Sequence, residues 1–347
     1  MKAVLLQPGH ELAVNDVAEP RIESPNDIIV KVTTTSICGS DIHIKYGEIP
    51  GIPPGTVIGH EFVGVVDAVG KGVRQVKAGD RVDIPAGIWC GLCAACRRGE
   101  IQNCSNGGVW GGGYYFGQPL QGAQASYVRV PNGDLLALPI PENVSDEQAV
   151  FVGDIFMTGY HAAYEGRIRV GDTVVVYGCG PIGLCAVVSA QLFGPKQVFA
   201  VDSLENRLAV AAQFGATTIH AGHEDPVNRI LEITDMQGAD VAIEAVGRTE
   251  SFNQALGSVR RGGMVSVVGL FPESVELQLP ILGLYGVRIS MGLANPSPMA
   301  QLMSLLSAGR VDLSPLCTHT YALADALEAY DLCENHKDQC IKVMLKP

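Results

Sequence analysis

Apolar and polar positions follow two different rhythms in the two halves of the chain. In residues 28–33, Ile28, Val30 and Val32 alternate with Ile29, Lys31 and Thr33, which predicts a strand with two distinct faces. Residues 62–69 predict another strand, ended by Gly70 and Gly72, and the Ala78-Gly79-Asp80 turn feeds a third at 81–84. From about residue 170 the rhythm changes. An unbroken apolar run at 173–177 precedes a helical stretch at 181–193, stopped by Gly194-Pro195. A strand at 197–201, a helix at 205–214, and strands at 241–246 and 264–268 follow, with helical pieces around 226–234 and 250–258. Strands and helices alternating at this spacing predict a parallel sheet covered on both faces. The last fifty residues return to a mixed pattern and finish with a strand at 340–345.

The expected fold is therefore α/β. A doubly wound nucleotide-binding domain at 157–295 is inserted into a β-rich domain built from 1–156 and 296–347. A length of 347 residues fits two cores better than one. A net charge of −12 argues against nucleic acid as partner, because phosphate binding rests on clustered Lys and Arg. The short apolar start before Gln7-Pro8 reads as a strand and not a signal peptide, and no run of about 18 apolar residues spans a bilayer. These features predict a cytoplasmic protein with reduced thiols, so clustered cysteines mean metal before disulfide.

The ten cysteines sort accordingly. Cys90, Cys93, Cys96 and Cys104 form a C-x2-C-x2-C-x7-C run, the signature of a closed tetrahedral zinc site with no catalytic position left open. A redox disulfide pair is the competing reading of that run. Cys38, the His60-Glu61 pair and Asp154 form a dispersed set that leaves a coordination position free when folding brings it together. Taken singly, Cys38 reads as a buried thiol, His60 as a hydrogen-bonded core residue, and Asp154 as a helix N-cap. Cys179, Cys185, Cys317, Cys333 and Cys340 lack ligand spacing and read mostly as small core residues.

Gly178-Cys-Gly180-Pro181-Ile182-Gly183 lies between the 173–177 strand and the next helix, where a G-x-G-x-x-G segment turns backbone N–H groups toward a pyrophosphate. Asp202 ends the next strand nineteen residues after Gly183, the position of a carboxylate that accepts from the adenosine ribose and favours NAD over NADP. A strand-end turn Asp is the plain alternative. Arg207 nearby tempers the exclusion of a 2′-phosphate. Val246-Gly247 and Gly269 fall at later strand ends, where the cofactor crevice is expected.

Cys38-Gly-Ser40-Asp41-Ile-His43, then Gly59-His60-Glu61, the four-cysteine run and the glycine-rich loop together resemble the zinc-dependent medium-chain alcohol dehydrogenases along essentially the whole chain. The resemblance implies a GroES-like catalytic domain around a Rossmann domain, two Zn2+ per chain, NAD with NADP less favoured, and a homodimer or homotetramer. It implies Cys38, His60 and Asp154 as catalytic zinc ligands, within the Asp-ligand branch that includes microbial secondary-alcohol dehydrogenases. Glu61 would support the metal, Ser40 and His43 would relay the proton, and Asp41 would brace the site. The implied reaction moves hydride between a small-molecule alcohol and the nicotinamide, giving a ketone or aldehyde. Polyol, threonine and formaldehyde dehydrogenases are the alternatives within the family, and a non-catalytic zinc protein lies outside it. Trp110, Tyr114 and Phe116 suit either an apolar substrate pocket or ordinary packing.

Overall fold

Thr173–Tyr177 is buried at every position, as a strand covered by helices on both faces must be. It sits at the centre of a six-stranded parallel sheet. The order across the sheet is Thr217–His220, Gln197–Asp202, Thr173–Tyr177, Ala239–Glu244, Val259–Val267 and Arg288–Met291. In chain order within this unit that reads 3-2-1-4-5-6, the doubly wound nucleotide-binding arrangement. The computed structural model describes residues 1–347. It divides into this unit, Thr158–Ala294, and a second made of Met1–Met157 and Asn295–Pro347.

The second unit is mainly antiparallel. Its seven-stranded sheet runs Cys317–Ala322, Lys342–Lys346, Ile28–Ser36, Phe62–Val69, Arg81–Ile84 and Leu138–Pro139, with Tyr127–Val130 also pairing with Ile28–Ser36. The C-terminal strand Lys342–Lys346 thus lies directly beside Ile28–Ser36, near the opposite end of the chain. Phe62, Trp110, Val82 and Val128 belong to one buried cluster, and Val4, Ile58, Tyr330 and Val343 to another.

Several strand ends differ from the expected ones. The 241–246 strand runs instead from Ala239 to Glu244, because Glu244 Oε1 accepts from the Val246 and Gly247 amides and turns the chain. The 264–268 strand begins earlier, at Val259. The preceding helix passes straight into it through an extended Val259, which pairs with Ala239 across a bulge. The final strand is Lys342–Lys346, and the helix after the glycine loop is Pro181–Gln191. No helix is long and apolar enough to cross a membrane.

Candidate metal centres and cofactor loop

Cys38 stands where the Ile28–Ser36 strand gives way to the Gly39–Lys45 helix, and its extended backbone forms the N-cap. His60 and Glu61 enter the neighbouring strand behind Gly59, whose φ is +91°. A Cβ there would meet Gln124 Cγ at 2.5 Å, so glycine is required to set the histidine in place. Asp154 immediately precedes the Ile155–Glu165 helix. Cys38, His60, Glu61 and Asp154 each offer a ligand atom, all within 4.8 Å of one another.

The spacing suits a cation. Cys38 Sγ lies 3.8 Å from Asp154 Oδ2, and His60 Nε2 lies 3.4 Å from the same oxygen. A tetrahedral zinc with ordinary bond lengths separates sulfur from oxygen by about 3.6 Å, and nitrogen from oxygen by about 3.4 Å. The charges agree. Burial opposes a charge on His60, yet Asp41, Cys38 and Asp154 outweigh it and raise the imidazole well above its ordinary value. Burial likewise pushes Asp154 up, but His60, Glu61 and Lys342 hold the carboxyl below the usual range. The acidic neighbours that raise His60 and the ionised Asp154 together concentrate negative charge in the pocket, which a cation would offset.

Asp41 braces this set: Oδ1 is 3.4 Å from His60 Nδ1, and Oδ2 accepts from the Cys38 amide at 2.9 Å and from Gln124 Nε2 at 3.2 Å. Ser40 Oγ is 3.3 Å from His60 Nε2. Three residues along the same short helix, half-exposed His43 pairs through Nδ1 with Glu48 Oε2.

Sequence reasoning missed the residue that holds Glu61. Lys342 Nζ donates to Glu61 Oε1 at 2.7 Å, and both side chains are fully buried. Ser36 Oγ donates to Oε2 of the same carboxylate. Burial raises the Glu61 carboxyl, with Lys342 offsetting part of that; burial lowers Lys342, but Glu61, Cys38 and Asp154 together more than reverse it. The partners are 281 residues apart, and the one trace in the sequence is a lysine inside the terminal apolar run.

The four cysteines of the compact run also converge. Cys104 Sγ lies 3.5 Å from Cys90 Sγ and 3.8 Å from Cys93 Sγ, against about 3.8 Å between thiolates in a tetrahedral zinc site. Backbone amides of Leu92 and Cys93 donate to Cys90 Sγ at 3.4 Å. Amide donors of this kind draw Cys90 down to about 7 and Cys93 to about 5, whereas burial pushes Cys104 up. Trp110 is core: it stacks edge-on against Phe62 and donates to Pro85 O at 2.8 Å. Tyr114 is exposed, and Phe116 packs against the cluster around Val4 and Tyr330.

In the parallel-sheet unit, Gly178, Gly180 and Gly183 stand at the C-terminal end of Thr173–Tyr177, and Pro181 opens the helix. A Cβ at Gly183 would lie 1.8 Å from Gly178 O, so only glycine lets the helix start this close to the turn. Asp202 fixes the loop: Oδ2 accepts from the Cys179 amide at 2.7 Å, and Oδ1 from the Ser203 and Leu204 amides at 2.8 and 3.0 Å. Arg207 Nη1 is 3.9 Å from Asp202 Oδ2, and its buried Nε has no hydrogen-bond partner. Val246 and Gly269 flank Glu244, whose carboxylate binds the Val246 amide and whose backbone oxygen accepts from the Gly269 amide.

Known proteins share this fold along the length of the chain. Residues 24–142 match the alcohol dehydrogenase GroES-like domain, and residues 181–308 the zinc-binding dehydrogenase domain. An alcohol dehydrogenase of Cupriavidus necator is 36% identical over 99% of this chain and 98% of its own. The alcohol dehydrogenase TADH from Thermus sp. ATN1 superposes with a TM-score of 0.94 at 40% identity, covering 100% of this chain and 99% of that one. An alcohol dehydrogenase from E. coli CFT073, solved with NADH, gives a TM-score of 0.90 at 29% identity, covering 100% and 99%. With the two domains in series and relatives that match end to end, the chain belongs to the zinc-dependent, NAD(P)-linked medium-chain alcohol dehydrogenases.

Proposed function

We propose that Cys38, His60 and Asp154 hold the catalytic zinc, that Cys90, Cys93, Cys96 and Cys104 hold a second, structural zinc, and that NAD is preferred over NADP. The substrate reading is a small alcohol, secondary in preference, interconverted with its carbonyl compound. The observation that carries this is the mutual spacing of the sulfur, nitrogen and oxygen ligand atoms at Cys38, His60 and Asp154. When bound, zinc supplies a Lewis acid for the substrate oxygen, and the nicotinamide supplies the hydride acceptor.

The chain's own residues do the rest. Ser40 Oγ, beside His60, accepts the proton that the alcohol hydroxyl gives up and passes its own onward. His43, half-exposed and paired with Glu48, takes a proton to solvent. Asp41 fixes the His60 ring through Nδ1, leaving Nε2 for the metal. Lys342 and Ser36 keep Glu61 from swinging freely into the ligand sphere.

Asp202 is held by three backbone amides and retains lone pairs for a ribose hydroxyl, while its charge repels a 2′-phosphate. Arg207, with an unpaired buried Nε, leaves some tolerance for NADP. A homo-oligomer completes the reading. Arg288–Met291 is a sheet-edge strand, and Leu279, Ile281, Leu284, Met291 and Leu293 around it are exposed.

The test is a metal count joined to a substrate and cofactor panel. Expected are two zinc per chain, NADH formation fastest with secondary alcohols, and a higher kcat/KM for NAD than NADP. Cys38→Ser should retain one zinc and lose at least about 100-fold in kcat/KM, since a metal Lewis acid contributes several kcal/mol. A Cys38→Ser enzyme that keeps both metals and its rate would remove Cys38 from the ligand set.

A further inference from the structure

A third ligand cluster lies in the parallel-sheet unit, apart from both cysteine-containing sets. Thr217–His220 is the edge strand of that sheet, with His220 in register beside Asp202. The following turn folds back, with the His223 amide donating to His220 O at 2.9 Å. The two imidazoles consequently stack at 3.8 Å between centroids and 11° between planes. Glu205, first residue of the Glu205–Gln213 helix, brings Oε1 to 3.6 Å from His220 Nε2. One ligand atom from each of Glu205, His220 and His223 lies within 4.8 Å of the others.

We propose that Glu205, His220 and His223 form a surface site for a borderline divalent cation of the zinc class, which ties the edge strand to the first turn of the adjacent helix. Two imidazoles and a carboxylate are a donor set that zinc takes while leaving a fourth position for water. Hard cations such as magnesium prefer all-oxygen sets and are poor occupants.

The geometry says what binding requires. A cation lies in the plane of each imidazole that ligates it, and two nearly parallel rings 3.8 Å apart share no such point. His223 must therefore turn out of the stack, which its exposed position on the turn permits. His220 Nδ1 accepts the Gly222 amide at 3.1 Å, so its proton sits on Nε2, facing Glu205. Metal at Nε2 moves that proton to Nδ1 and transfers the Gly222 hydrogen bond to water, which is accessible at this exposed turn. The Glu205–His220 contact, longer than a good hydrogen bond, gives up little in exchange.

The test uses the full-length protein with its resident metal retained and zinc ion as probe. Equilibrium dialysis followed by metal analysis should show one further zinc per chain in the wild type. The His220→Ala/His223→Ala variant should lack that equivalent while keeping the resident metal. The thermal midpoint should rise with added zinc in the wild type and stay flat in the variant, because only a ligand of the folded state stabilises it. A zinc-edge anomalous peak should lie about 2.1 Å from a ring nitrogen of each histidine. Equal uptake by the double variant, no uptake beyond resident metal, or equal response to magnesium would each overturn the site.

Discussion

Asp83 shows how much one side chain's surroundings matter. It is fully buried in the Arg81–Ile84 strand, and neither carboxylate oxygen has a hydrogen-bond partner. Burial raises its pKa well above the ordinary value. A group whose folded pKa is raised adds stability that is complete below its unfolded pKa and is lost as pH climbs toward the folded one. Asp83→Asn should thus match the wild type in acid and gain on it above pH ~4, by about 1.4 kcal/mol per pH unit until the native Asp83 ionises. Denaturant unfolding across pH measures this; parallel curves would contradict it.

Lys342 is the opposite case, a buried cation whose removal strands a buried anion. Lys342→Met should cost about 3–5 kcal/mol near neutral pH. The loss should shrink toward acid pH, because Glu61, its folded pKa then raised further, escapes by taking up a proton. A pH-independent loss in unfolding experiments would place the effect in packing instead.

At the scale of elements, the cysteine lobe has little but its proposed metal to hold it. Its helix, Ala94–Arg97, and its 3-10 turn, Ile101–Asn103, are single turns, and Leu92 is exposed. Such short pieces do not persist alone. Cys93→Ser should remove one of the two proposed zinc ions and lower Tm by more than the ~2–4 °C that a single kcal/mol shifts in a domain of about 150–250 residues. Calorimetry with a metal count checks it, and an unchanged Tm would show the lobe to be self-supporting. The glycine loop was fully visible as a sequence because its constraints are local. Gly183 is fixed by an oxygen five residues back, so spacing alone reveals it. Strand ends were less visible: Glu244 stops its strand through its own side chain, and no periodicity registers that.

At the scale of the molecule, the proposed homo-oligomer rests on the exposed apolar side chains around Arg288–Met291. A groove of about 240 Å³ lined by Phe252, Phe271, Val275, Leu277, Ile289 and Met291 adjoins it. Met291→Lys should place an unpaired charge on that edge and lower the assembly state in analytical ultracentrifugation. An unchanged sedimentation profile would put the interface elsewhere.

The α/β class, the change of rhythm near residue 170 and the residues with ligand chemistry were determined by sequence, because periodicity, glycine spacing and thiol clustering are short-range properties. Tertiary structure alone decided that Lys342 reaches Glu61 across 281 residues, that Trp110 belongs to the core, and that Glu205, His220 and His223 meet. Those contacts arise from strand pairing and crossover connections, which unite residues with no local signal of one another.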